Sequence, residues 1–227
     1  MSYSLKSVAK LIDHAVLKPE QTETDLRENA ALCREYCVAS LCVRPSDIAL
    51  ASELLSNSDV LVSTVLSFPH GADTTATKIF QAQQAIADGA QEIDMVMNIG
   101  QFLSGKFDRV RDDIRAVSEI AHHHNVILKV IQESCFLTLE EVARACILTA
   151  EAGADFVKTS TGFGPSSATP EIIDVMVKTV GGDLGIKASG GIRSWDQAVS
   201  YLEQGVTRLG IGATKTVLEG GISSETY

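Results

Sequence analysis

Short β-branched runs and longer helix-patterned stretches alternate along the whole chain, and that alternation leaves few folds open. The runs are LIDHAV (11–16), VASLCV (38–43), VLVSTVLSF (60–68), EIDMVM (92–97), VILKVIQ (126–132), DFVKTS (155–160), LGIKAS (184–189) and TRLGIG (207–212). Helices are expected between them at 23–36, 45–55, 74–88, 107–123, 139–152, 170–180 and 195–204, with a short last one at 213–218. DGA (88–90), AGA (152–154) and QGV (204–206) each put a glycine where a helix must stop before the next strand. Eight strands, each followed by a helix, predict an α/β fold of the (β/α)8 TIM-barrel type. A doubly wound open sheet is the alternative, but it usually has fewer strands, and no GxGxxG follows the first run. The 227 residues fit one such barrel, 1–227, with a flexible C-terminal tail over about 219–227.

Charge narrows the partners. The formal net charge is −10 at pH 7 with no basic stripe, the wrong sign for a nucleic-acid binder. An anionic substrate must therefore be attracted locally, against a repulsive overall field. No apolar stretch reaches 18 residues and the N-terminus lacks a signal-peptide core, so neither membrane association nor export is expected. Cys33, Cys37, Cys42, Cys135 and Cys146 form no CxxC pair and are odd in number, which reads as free thiols in a reducing cytoplasm.

In a barrel of this kind, chemistry gathers where strands end. That rule selects Asp13, Cys42, Ser67, Asp94, Asn98, Lys129, Glu133, Lys158, Thr159, Lys187, Ser189 and Gly210 to Gly212. Four of these are charges inside apolar runs: Asp94, Lys129, Lys158 and Lys187. One buried charge is readily a structural ion pair, but three lysines against one aspartate leave surplus positive charge that pairing alone does not require. An amine beside another cation, and desolvated, loses its proton more easily. The neutral amine can attack a carbonyl, and the resulting iminium draws electrons from the adjacent carbon–carbon bond. A nearby carboxylate can move the protons.

Taken together, IDHAVLKPE (12–20), SLCVRP (40–45), TVLSFPHG (64–71), EIDMVMNIG (92–100), LKVIQES (128–134), DFVKTSTGFG (155–164), IKASGGIR (186–193) and RLGIGAT (208–214) resemble the 2-deoxy-D-ribose-5-phosphate aldolase family. VKTSTGF and KASGGIR carry most of that resemblance. It implies a Schiff-base aldolase, without metal or other cofactor, that joins acetaldehyde reversibly to D-glyceraldehyde 3-phosphate. Lys158 then resembles the imine-forming lysine, Lys187 the lysine that perturbs it, and Asp94 the acid–base aspartate. Asp13 and Lys129 resemble supporting members of that network. The terminal Tyr227 resembles a residue that helps proton transfer at the donor methyl, against the plain reading of a frayed end. Barrels of this kind are often homodimers.

The phosphate side departs from the family pattern. Thr159 to Gly162 and Ser189, Gly190 and Gly191 are small-residue turns whose amides suit an anion. After strand 8 the family usually carries two serines, whereas this chain has Gly212 and Ala213, then Thr214 and Lys215. That predicts weaker phosphate binding and greater tolerance of unphosphorylated substrates.

Other features read plainly. His122, His123 and His124 end a helix, do not share a face, and are not expected to hold metal. Cys33 and Cys37 sit at i, i+4 and read as core; Cys42 borders the pocket as a reactive or an inert thiol. Two competing readings are another sugar-phosphate barrel enzyme, which leaves the lysine pair unexplained, and a non-catalytic metabolite-binding barrel, which the missing serines alone favour.

Overall fold

Parallel strands wind in chain order into a closed barrel, each pairing with its sequence neighbours and the first closing on the last. The computed structural model describes residues 3–224. In order these form α1 (Leu5–Ala9), β1 (Ile12–Val16), α2 (Glu23–Tyr36), β2 (Ser40–Val43), α3 (Ile48–Leu55), β3 (Leu61–Leu66), α4 (Thr75–Ala87), β4 (Glu92–Val96) and α5 (Ile99–Leu103). The second half holds α6 (Phe107–His123), β5 (Ile127–Ile131), α7 (Leu139–Glu151), β6 (Phe156–Lys158), α8 (Pro170–Val180), β7 (Gly185–Ser189), α9 (Trp195–Glu203), β8 (Arg208–Ile211) and α10 (Thr214–Leu218). The single (β/α)8 TIM barrel is the expected fold.

Helix starts follow their caps. Thr22, Thr74, Thr138, Thr169 and Ser194 each accept a bond from an amide in the first turn, satisfying a donor the helix itself cannot. The stretch from 45 begins as a 3-10 turn, Pro45–Asp47, before α3. Two five-residue helices lie outside the expected set. α1 is started by a capping box between Ser4 and Ser7, and α5 by Asn98, whose side chain accepts from the Gln101 amide. Both are too short to show a helical period.

Alternation divides the strands into two environments. Outward residues such as Ile93, Leu128, Val130, Val157, Ile186 and Leu209 pack on the helix ring and form the main apolar core. The inward residues are mostly polar: Asp13, Ser40, Ser63, Glu92, Asp94, Lys129, Lys158, Lys187 and Ser189 are all at most 1% exposed. A small apolar cluster, Ala15, Leu17, Cys42 and Val65 with Phe68 against it, occupies the β1–β3 side toward the C-terminal mouth. Glycines make room inside. A Cβ at Gly185 would stand 2.2 Å from the Phe156 ring, and one at Gly210 would stand 2.3 Å from Ser189 Oγ and 3.3 Å from Lys187 Cε.

After α10 the chain returns to the loop that follows β7. Ile222 bridges Ser194, and the Ser223 amide donates to the Arg193 carbonyl. Tyr227 lies outside the described residues.

Candidate active site

Register sets the positions of the charged side chains. Lys158 pairs with Lys187 across β6–β7, Lys187 with Arg208 across β7–β8, and Asp94 with Lys129 across β4–β5. All project inward, so ordinarily solvated groups meet in one dry space. Asp94 is the hub. Its Oδ2 accepts from Lys158 Nζ and from Lys187 Nζ, each at 2.7 Å, and its Oδ1 accepts from Lys129 Nζ at 2.9 Å. Asp13 Oδ2 accepts from Lys187 Nζ at 2.5 Å and lies 3.5 Å from Lys129 Nζ. Asp13 Oδ1 accepts from Ser40 Oγ and from Arg208, both at 2.6 Å.

The sequence reading missed two members. Glu92 pairs with Lys129 Nζ at 2.5 Å and takes a forked pair of bonds from Arg208 at 3.1 Å each. Arg208 also stands 5.6 Å over the Phe156 ring. Both were findable: Glu92 is two residues before Asp94, and Arg208 two before Gly210, so each shares an inward face with a residue already singled out.

Burial and charge pull against each other here. Burial alone would raise the Asp94 carboxyl, but Lys129, Lys158 and Lys187 together hold it well below the usual carboxylate range. Asp13 is likewise lowered against burial, by Lys187, Lys129 and Arg208. Burial would lower Lys129, and Asp94, Asp13 and Glu92 raise it instead. The cations differ in their partners. Among the described residues Lys129 meets three carboxylates, Lys187 and Arg208 two each, and Lys158 one.

The turns after β6 and β7 lie against each other. Thr159 Oγ1 donates to the Ser189 carbonyl and accepts from the Ser189 amide. Those groups are thus committed to joining the loops, which narrows the expected set of anion donors. Gly162, Gly190 and Gly191 adopt left-handed φ of 89°, 80° and 70°, open to glycine at little cost. Among the described residues their amides have no hydrogen-bond partner, and neither does the buried Ser189 hydroxyl. Glu133 is fixed beside this layer by Thr161, whose amide and hydroxyl both donate to its carboxylate.

The far wall is bare of hydroxyls. Gly212 and Ala213 are half-buried, Thr214 bonds His14 at 2.8 Å, and Lys215 is exposed rather than turned inward. Cys42 is buried, and burial first, then Asp94, pushes its thiol up, in the direction of the inert reading. Of the strand-end shortlist, Asn98 caps α5, and the Ser67 hydroxyl accepts from the Asp73 amide. His122 pairs with Asp155 at 3.0 Å, and among the described residues no three His, Cys, Asp or Glu side chains group to hold a metal ion.

At the C-terminal mouth a cavity of about 420 Å³ is lined by Leu17, Arg44, Val65, Phe68 and Phe163, with Phe68 and Phe163 edge to face at 5.4 Å. A second, about 340 Å³, runs between Ala15, Lys18, Asn29 and Gly212. A larger cavity, about 900 Å³, lies at the opposite end around Lys6, Lys10 and Arg34 and touches none of the inward charges. The two mouth cavities do not reach the inward charges either; they lie on the side where the strands end, the side on which barrels of this kind carry their chemistry. No described helix is long and apolar enough to cross a membrane.

The model of the DeoC/LacD family of aldolases matches residues 7–213. A deoxyribose-phosphate aldolase of Caldanaerobacter subterraneus is 46% identical over 217 residues, 95% of this chain and 94% of that one. One from Clostridium perfringens is 46% identical over 222 residues, 98% and 99% of the two chains. Among solved structures, the tetrameric deoxyribose phosphate aldolase of Aeropyrum pernix has a TM-score of 0.88 at 29% identity, covering 95% of this chain and 91% of its own. An aldolase called QR15 has a TM-score of 0.89 at 37% identity, covering 93% and 94%. A family match spanning the barrel, together with near full-length identity of this size, means that the chain belongs to the DeoC/LacD family of aldolases.

Proposed function

We propose that this chain reversibly cleaves 2-deoxy-D-ribose 5-phosphate to acetaldehyde and D-glyceraldehyde 3-phosphate through an imine on Lys158. The observation that carries the assignment is the pairing of Lys158. It ends a strand at the mouth, and among the described residues its one carboxylate contact is an oxygen it shares with Lys187.

The neutral Lys158 amine adds to the C1 aldehyde of the open-chain sugar, and the carbinolamine loses water to give an iminium. A base takes the proton of the C3 hydroxyl. The C2–C3 bonding pair moves into the iminium, releasing the phosphorylated aldehyde and leaving an enamine. Protonation at C2 and hydrolysis free acetaldehyde and restore the amine. Asp94 is held too firmly ionised to be a good acid. For the same reason it is a weak base, so its part is to orient both amines, while the Lys187 ammonium donates protons. Asp13 and Lys129 keep that pair in place.

For the phosphate we propose the amides of Gly162, Gly190 and Gly191, with Ser189 Oγ reaching a sugar hydroxyl. Without side-chain donors at Gly212 and Ala213, preference for the phosphorylated sugar is relaxed. We also retain Tyr227 as the proton carrier at the donor methyl. The five free thiols suit a reducing cytoplasm.

Acetaldehyde with cyanoborohydride tests the central step. An N-ethyl group on Lys158, absent from Lys158→Ala, together with loss of retro-aldol activity in that variant, is expected. An adduct on another lysine, or activity that survives Lys158→Ala, overturns the assignment.

A further inference from the structure

Resting on the imine at Lys158, we infer that Glu92 and Arg208, at the N-terminal floor of the barrel, are positioning residues that set the charge balance under which Lys158 becomes a neutral nucleophile. The strands bring four cations inside, Lys129, Lys158, Lys187 and Arg208, against three carboxylates, Asp13, Glu92 and Asp94. With every lysine protonated, this dry cluster carries one surplus positive charge. It becomes neutral when one amine gives up its proton. The partner count among the described residues selects which: Lys158 has one carboxylate contact, and Lys129, Lys187 and Arg208 have two or three.

Arg208 is what creates the surplus. Without it, three lysines would face three carboxylates, and the balanced state would be the fully protonated, unreactive one. Glu92 acts in the opposite sense, because its removal raises the surplus. Neither residue bonds to Lys158, so both act through the field of the cluster. The groups facing Lys158 are Asp13 on β1, Cys42 on β2, Glu92 and Asp94 on β4, Lys129 on β5, Lys187 on β7 and Arg208 on β8. The inward positions of β3 hold the uncharged Ser63 and Val65. Glu133 lies in the loop layer at the mouth, bonded to Thr161, and is common to every protein compared below.

Each change leaves the other charges paired. After Glu92→Gln, Lys129 keeps Asp13 and Asp94, and Arg208 keeps Asp13; after Arg208→Met, Asp13 keeps Lys187 and Lys129. The test is the pH midpoint of cyanoborohydride trapping of acetaldehyde on Lys158, measured by peptide mass in the unaltered chain, Glu92→Gln, Arg208→Met, the double variant and Arg208→Lys. Arg208→Met should raise the midpoint by about one pH unit, and Glu92→Gln should lower it by a similar amount. The double variant should return close to the starting value, and Arg208→Lys should stay there. A purely structural role predicts no opposite signs and no mutual rescue. Should Arg208→Met fail to fold, the downward shift in Glu92→Gln still decides. Shifts in the same direction, no shift, or a double variant worse than either single one overturns the inference. If the unaltered chain gives no Lys158 adduct, the imine reading itself fails.

Discussion

Lys158 and Lys187 face each other in register across β6 and β7, and both donate to one oxygen, Asp94 Oδ2, at 2.7 Å each. A shared acceptor makes the two amines interdependent: whichever keeps its proton holds the carboxylate. On the proposed reading Lys187 keeps it, because Asp13 holds its ammonium as well.

Replacing Lys187 by Met should therefore leave Lys158 locked to Asp94 as an ion pair. The retro-aldol rate is expected to fall by roughly 10²–10⁴-fold, the usual scale for losing a positioned proton donor. The Lys158 adduct should still form, but only at higher pH. Steady-state rates and adduct mass across pH read both effects, and a rate within threefold of the unaltered enzyme would refute the division of roles.

The phosphate end offers a gain of function. Gly212 and Ala213 follow β8 with no hydroxyl, and the Thr214 hydroxyl is held by His14, whose other ring nitrogen meets Asn29 at 2.6 Å. Gly212→Ser with Ala213→Ser should raise kcat/KM for deoxyribose 5-phosphate over plain deoxyribose by about tenfold or more, since each bond to a charged group contributes roughly 1.5–3 kcal/mol. A ratio already large in the unaltered chain and unmoved by the serines counts against relaxed phosphate dependence.

The sequence was most informative where local rules govern. The barrel follows from alternating runs and helix stops, each written in a few adjacent residues. Asp94, Lys129, Lys158 and Lys187 stand out because a charge within an apolar run has no cheap explanation. Glu92 and Arg208 escaped notice because they open their strands, where a charge normally meets water. The bonds between Thr159 and Ser189 depend on the β6–β7 register, and the one between His14 and Thr214 spans 200 residues. Single-position reasoning assigned Thr159 and Ser189 to the anion; pairing shows that Thr159 and the Ser189 backbone hold the loops together.

The same cluster sets the acid limit of stability. Asp13 and Asp94 sit below the unfolded carboxyl value of about 3.9. Between the folded and unfolded values the unfolded chain binds more protons, so their contribution is complete above about pH 4 and drains away as pH falls further. Lys129, raised in the fold, contributes fully below its unfolded value of about 10.4 and loses that only in stronger alkali. Asp13→Asn should thus lower Tm by about 10 °C at pH 7 and by a smaller but still clear amount at pH 3, where only part of the interval down to the folded value has been crossed. Equal losses at both pH values, seen by calorimetry, would show that the carboxylate's charge is not what matters.

A second buried pair lies outside the site and separates charge from packing. Lys78 on α4 is fully buried, donating to Asp113 Oδ2 at 2.6 Å and to the Val96 carbonyl at 3.1 Å, while Thr75 donates to Asp113 Oδ1 at 2.7 Å. Burial pushes the Lys78 ammonium down, and Asp113 opposes that. Lys78→Met removes the counter-charge but leaves Asp113 in place, an uncompensated carboxylate with one hydroxyl partner. A loss of about 3–5 kcal/mol in urea unfolding is expected. Adding Asp113→Leu removes the stranded charge and fills the space, so the double variant should recover most of that loss. The orphaned Val96 carbonyl retains a residual cost of about 1–3 kcal/mol. If the double variant is no more stable than Lys78→Met alone, the pair contributes through shape and the backbone tether, and the charge argument for it fails.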